Sequence, residues 1–291
     1  MKKLFPITAL LFTFLSSSAY SQNNQFYYDY KYKSDSLNRN LIDSELMVLD
    51  SFNNGSKFYS KQKANADSTR SAIIKAAIAK GSTNIMVGDI KDGKISDKVL
   101  KSYPSYSTKL LTKISSQPLV LENNNKIDWK IFPEKDMILN YNVQKASTTL
   151  YGRKWVAWFA SDIPVQDGPS LFYGLPGLIL KIEDTVGDHA FTLVSTKNLP
   201  SEAILDDKIR NNQIVVSEEK FNKLWREYKQ DPTKNMRAKN SEYSTGDVAV
   251  TTSMSFGGKT YSEVEMIKAI DKERRDDIVK YNNFMFLNLY K

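Results

Sequence analysis

The segment RKWVAWFAS, residues 153 to 161, limits the possible folds of this chain more than any other. In an extended backbone successive side chains point to opposite faces. Trp155, Ala157 and Phe159 therefore face one way, and Val156, Trp158 and Ala160 the other. Both sides are apolar, which predicts a central strand of a sheet covered on each side.

Other segments supply the neighbours. FYYDYKYK (26 to 33) alternates, with Phe26, Tyr28, Tyr30 and Tyr32 on one side, and reads as a half-buried strand. SELMVLDSF and SKFYS flank Asn53-Asn54-Gly55, a hairpin signal because such turns need positive φ. YSTKLLTKIS, KIDWKIF and MILNYNVQKASTTL each read as one strand, with Tyr151-Gly152 turning the last into RKWVAWFAS. LILKIED and HAFTLVSTKNL pair around Val186-Gly187-Asp188.

Three helices interrupt. The alanine-rich run STRSAIIKAAIAK starts from Asp67 or Ser68 and stops at Gly81. Ser217 caps a second helix, whose Phe221, Leu224, Trp225 and Tyr228 form one apolar stripe ended by Asp231-Pro232. A hairpin around Gly257-Gly258 leads to a third, opened by the capping-box pair Ser262 and Glu265. Its charged middle leaves Val264, Ile267, Ile270, Ile278 and Tyr281 to dock. The expectation is an α+β fold: a curved, mainly antiparallel β-sheet, open and barrel-like, of about nine to eleven strands with about three helices.

MKKLFPITALLFTFLSSSAYSQ has two lysines, an apolar stretch and a small-residue end, the layout of a cleaved export signal. Residues 1–21 are expected to be removed, leaving 22–291 as a single β-rich domain in the periplasm or secreted. No second hydrophobic span follows, so the mature chain is expected to carry no transmembrane segment. Loss of Lys2 and Lys3 lowers the formal charge from +8 to +6. The basic residues are scattered among acids, with a loose cluster at Lys234, Arg237 and Lys239, so no nucleic-acid partner is expected. The chain has no cysteine, which excludes disulfides, thiolate metal sites and a cysteine nucleophile.

GPSLFYGLPGLILKIED (168 to 184) concentrates glycine and proline and then alternates. Gly174, Pro176 and Gly177 do not propagate a helix together, so the segment reads as a stiff loop feeding a strand. It lacks the lysine and hydroxyl spacing of a phosphate loop.

Together KIDWKIFPEKDMILNYNVQKASTTLYGRKWVAWFASDIPVQDGPSLFYGLPGLILKIED resembles the signature region of the GLPGLI family, exported proteins of Bacteroidota named after the string found here at Gly174 to Ile179. The resemblance spans roughly residues 126 to 195. It implies export and kinship, and assigns no catalytic residue. Many members have cysteine where this chain has Val143, so no thiol role carries over.

The candidate binding site is a groove formed by Trp155, Trp158 and the loop residues Gly168, Pro169, Gly174, Leu175, Pro176 and Gly177. A curved sheet covered by helices leaves such a groove for lipid or hydrophobic peptide. The architecture is similar to envelope lipoprotein carriers and sensors that hold acyl chains in an unclosed barrel, a likeness of fold. A second reading is an envelope assembly protein whose tyrosine-rich first strand is an edge that accepts a partner's strand. A third is a hydrolase using two of Asp162, Asp167, Glu183 and Asp184. The lone histidine, His189, has no G-x-S-x-G elbow to serve. No catalytic residue, metal or cofactor is assigned.

Overall fold

The computed structural model describes residues 23–81, 88–206, 208–209, 212–237, 253–256 and 259–291. The expected leader, the Gly257-Gly258 turn and Lys239 lie outside the described residues.

Twelve strands form one sheet: β1 (Asn24–Tyr32), β2 (Asp43–Phe52), β3 (Gly55–Ser60), β4 (Lys98–Ser102), β5 (Ser107–Ile114), β6 (Gln117–Asn123), β7 (Lys130–Ile138), β8 (Tyr141–Leu150), β9 (Arg153–Ala160), β10 (Leu178–Asp184), β11 (His189–Asn198) and β12 (Ile214–Val216). Their order is β12-β6-β5-β4-β3-β2-β1-β11-β10-β9-β8-β7, and the end strands β12 and β7 do not pair, so the sheet is open. All pairings in it are antiparallel except β12 on β6. A separate two-stranded ribbon joins β13 (Ser253–Phe256) and β14 (Lys259–Ser262). The helices are α1 (Lys61–Ala79), α2 (Glu218–Gln230) and α3 (Glu263–Lys280), followed by a 3-10 turn at Leu287–Tyr290; a further helical turn covers 234–237.

The register carries one buried stripe across the sheet. Ala157 opposes Ile182, Ile182 opposes Phe191, and Phe191 opposes Tyr30. Next to it Tyr28 opposes Met47, while Leu49 opposes Phe58, Phe58 opposes Val99, and Val99 opposes Leu110. These residues define the inner face, and all are buried. Tyr28, Tyr30 and Tyr32 of β1 thus lie on the core side, as their alternation predicts.

β1 sits between β2 and β11 with both edges paired. It offers no free backbone to a partner strand, which corrects the expectation that it is an edge. The sheet's end strands are β7, where Pro133, Glu134, Lys135 and Asp136 blunt pairing, and the three-residue β12, where Ile214 and Val215 are exposed.

Three other expectations change. α1 begins at Lys61, because the Ser60 hydroxyl, which also hydrogen-bonds to Glu45, accepts from the Lys63 amide at 3.0 Å and caps the helix there. MILNYNVQKASTTL is not one strand: Leu139 and Asn140 take φ of 47° and 67°, the paired positive values of a tight hairpin between β7 and β8. QPLVLEN forms β6 and IVV forms β12, both additional to the expected set. β9 is interior as expected, but only its inner face is sealed: Val156 and Trp158 are half-buried.

α2 docks Phe221 and Trp225 as its stripe requires. α3 has its capping box, yet buries no residue. Ile267, Ile270 and Ile278 are half-buried, and Val264 and Tyr281 stay exposed.

Candidate functional site

The glycine-proline loop is locked from below by charge. Lys101 on β4 and Asp167 are both fully buried, with Nζ 2.5 Å from Oδ1. The Lys101 ammonium also donates to the carbonyls of Gly168 at 2.8 Å and Phe172 at 3.1 Å. Asp167 accepts from the Ser56 hydroxyl at 2.5 Å, the Gly168 amide at 2.6 Å and the Tyr103 hydroxyl. Burial pulls the Lys101 ammonium below its ordinary pKa, and the carboxylate opposes that pull. An ion pair this deep is tolerable only when its remaining donors and acceptors are met, and here the met groups are the loop backbone. Tyr28 adds a hydroxyl donated to the Ile179 carbonyl at 2.8 Å. The chain then leaves the loop through Gly177, at φ 152°, where a β-carbon would stand 2.1 Å from the Ala160 carbonyl oxygen.

Beside this filled region the inner face is hollow. A partly open cavity of about 530 Å³ lies between the sheet and the C-terminal strap, residues 281–290. Its apolar lining includes Tyr30, Met47, Phe58, Leu110, Phe191 and Phe286. Ser34, Asp43, Lys94 and Asn283 bring polar groups to it, and Ser170, Asp97 and His189 stand against the apolar lining. The volume is in the range of about 300–1,000 Å³ usual for ligand sites.

Each wall has an identifiable support. Glu45 accepts from the amides of Lys94 at 2.8 Å and Ile95 at 3.1 Å, which fixes the segment before β4. Arg153 at the start of β9 binds Asp184 at 2.6 Å, Asn283 Oδ1 at 2.5 Å and the Phe284 carbonyl at 2.9 Å, which holds the strap on. Phe284 stacks on Tyr290 at 3.9 Å, and Trp225 of α2 packs edge-on against both.

His189 opens β11 and is almost wholly buried. Its Nδ1 is 2.8 Å from the Tyr30 hydroxyl, while Nε2 is buried without a hydrogen-bond partner of ordinary geometry. Burial, with the nearby Arg153 guanidinium, lowers its pKa to about 4; Asp184, Asp188 and the Asn283 backbone oppose this. The imidazole is therefore neutral at neutral pH. Asp97 accepts from the Thr112 hydroxyl at 2.8 Å, and burial raises its pKa.

The expected site residues are not brought together as one groove. Trp155 is fully buried on the inner face, edge-on to Phe172 at 4.8 Å and 6.5 Å from the His189 ring. Trp158 points to the opposite face, so the two cannot line the same groove. Gly168, Pro169, Leu175 and Gly177 are buried, and Gly174 and Pro176 are exposed. None of the eight lines the cavity; from their loop, Ser170 does. The residues that do line it escaped the sequence reading mainly because the strap FMFLNLY, dense in aromatic and apolar residues, has no regular period.

The carboxylates fare likewise. Asp167 and Asp184 are consumed in buried ion pairs, Asp162 is exposed and Glu183 pairs with Lys181 at 3.0 Å. Among the described residues no cluster of three or more potential metal ligands occurs, and no helix is long and apolar enough to cross a membrane.

The sequence model of an uncharacterised family, described as "Protein of unknown function (Porph_ging)", matches residues 148–181. That stretch runs from β8 through the locked loop into β10. No curated protein matches the chain. Among solved structures, it is similar to two of PNGF-II in different space groups. The first has a TM-score of 0.47 at 16% identity, covering 70% of this chain and 33% of that one. The second has a TM-score of 0.44 at 16% identity, covering 68% and 31%. The chain thus spans about a third of the solved structures it matches.

Proposed function

We propose that the protein is an exported binding protein of the GLPGLI kind, periplasmic or secreted after loss of residues 1–21, and that 22–291 act as one domain. It holds an apolar ligand, lipid or hydrophobic peptide, without transforming it. The observation that carries this is the aromatic-lined cavity of about 530 Å³ between the inner face and the strap. Surface of this kind left open to water costs about 25 cal/mol for each Å² that a ligand would cover, so an apolar occupant is favoured. The binding site moves accordingly, from the Trp155–Trp158 groove to the cavity under the strap.

The test is native mass spectrometry of protein purified without detergent from its own envelope, joined to titration with a fluorescent fatty-acid analogue. The expected result is a co-purified acyl lipid or apolar peptide and saturable uptake of the probe. Neither bound mass nor saturable uptake removes the reading. The assembly alternative needs a receptive edge other than β1; the charged, proline-bearing β7 is a poor one, and β12 offers three residues.

A further inference from the structure

We infer that Asp97 is the polar anchor of the cavity, and that the ligand carries an ammonium group on an apolar body, paired with this carboxylate. The inference rests on the cavity being a ligand site.

Three observations lead to it. First, the register places the carboxyl on the inner face. Asp97 stands one residue before β4, and the alternation Asp97, Val99, Lys101 turns it inward. Leu110 opposes Val99, and Thr112, next along the inward row of β5, donates its hydroxyl to one Asp97 oxygen at 2.8 Å. The other oxygen has no hydrogen bond among the described residues. Asp97 is half-buried and belongs to the cavity wall, so the carboxyl is open to what the cavity holds. Second, the charge of the wall selects a cation. Its charged residues are Asp43, Asp97 and Lys94, and Lys94 is bound to Asp43 at 2.5 Å. The cations nearby do not serve Asp97. Lys113 acts on it but alternates to the outer face and is exposed; Lys101, on the same row, is held by Asp167, and Lys63 and Arg70 of α1 by Asp67 and Asp92. Toward His189, four places from β4 in the strand order, Arg153, Lys33 and Arg39 meet only Asp184 and Asp188. None of those three cations lines the cavity, and their surplus turns an ammonium away from that side and toward Asp97. Third, the rest of the wall suits a cation on an apolar body. Tyr30, Phe58, Phe191, Phe284, Phe286 and Tyr290 supply rings, and aromatic surface attracts ammonium groups where carboxylates gain nothing.

The test is displacement of the neutral fluorescent probe N-phenyl-1-naphthylamine from the intact protein at neutral pH, by dodecylamine, dodecanol and lauric acid. These share one chain and differ in the end group. Dodecylamine should bind about tenfold tighter than lauric acid, as one charge-assisted hydrogen bond allows. In Asp97→Asn, which keeps the size and an acceptor for Thr112, dodecylamine should weaken about tenfold while dodecanol is unchanged. A short apolar peptide with one lysine and blocked ends, run beside dodecylamine, separates the two sources of the group. Whichever binds tighter and loses more in Asp97→Asn is the source, and either result supports the anchor.

Lauric acid binding as tightly as dodecylamine would overturn the inference. So would an Asp97→Asn protein that binds dodecylamine as the wild type does; saturable displacement by dodecanol would then leave the cavity reading standing. Failure of the probe and of all the ligands to bind removes the two together. The ranking of amine against acid is read on the wild-type chain, so the test survives even if Asp97→Asn does not fold.

Discussion

The loop 167–177 and the strap 281–290 both cover the inner face of one sheet, the first anchored by a buried ion pair and the second by aromatic packing with hydrogen bonds at Asn283, Phe284 and Asn288. Lys101 and Asp167 direct their bonds at specific backbone atoms, which fixes the loop's geometry; of its residues only Ser170 reaches the cavity. The strap is hydrogen-bonded at Asn283, Phe284 and Asn288, and between those points it rests on ring contacts such as Phe286 against Tyr151, which fix no single distance to the sheet. Directional bonds close a surface; non-directional packing can leave a cavity beside it. The specific sequence string therefore marks the scaffold, and the hollow proposed as the ligand site lies next to it.

The largest expected effect breaks the locked side. Asp167→Ala strands a buried ammonium and should cost about 3–5 kcal/mol in denaturant unfolding. Lys101→Met should cost less, because Asp167 keeps Ser56, Tyr103 and the Gly168 amide as donors. Equal costs would show that the loop is held by the lysine's carbonyl contacts and not by the carboxylate.

A slightly smaller effect separates the hollow side by pH. An unfolded imidazole protonates near 6.5 and folded His189 only near 4, so between these values the unfolded state binds more protons. The stability that neutral His189 contributes is whole above about pH 6.5 and is lost as pH falls toward 4, up to about 3 kcal/mol. The difference between wild type and His189→Gln, measured at pH 7 and 4.5, should shrink or reverse at the lower value. A difference independent of pH would mean that the ring titrates in the folded protein as it does unfolded, hydrated and not desolvated.

How much of this the sequence shows depends on the range of the forces involved. Alternation in FYYDYKYK and KWVAWFA, the Asn-Gly turn and the Ser217 and Ser262 caps act over a few residues, and the strands and helices they predict are present. The Ser60 cap also acts locally, but the sequence places Asp67 and Ser68 as equally good starts, and only the contact with Glu45 decides between them. The site was far less legible. Tyr30 meets His189 across 159 residues and Arg153 meets Asn283 across 130, pairings that no local pattern encodes. Trp155 and Trp158 look alike in sequence, yet one faces Phe172 and the other the outer surface.

Gly177→Ala tests whether the hinge between loop and β10 is as fixed as the ion pair beside it. The backbone conformation is strained for alanine, and the added methyl meets the Ala160 carbonyl; about 1–3 kcal/mol is the expected loss. The same change at Gly174, where φ is 91° but the nearest atom is 4.0 Å away, carries strain without collision and should cost less. Matching losses would mean that conformation alone, not close approach, demands glycine at 177.

The smallest change in stability is also the sharpest contrast between the two faces of β9 and the sheet it belongs to. Leu110→Trp places bulk into the cavity, where space exists to receive it, so unfolding should shift by less than the ~1–3 kcal/mol of an overpacked core while uptake of an apolar probe is abolished. Trp158→Ala removes a half-buried ring from the outer face and should cost about 1 kcal/mol, leaving probe affinity unchanged. The two variants dissociate the properties in opposite directions: one keeps stability and loses binding, the other loses some stability and keeps binding. If Trp158→Ala instead weakens the probe, the ligand sits against the outer surface and the cavity under the strap is packing space only.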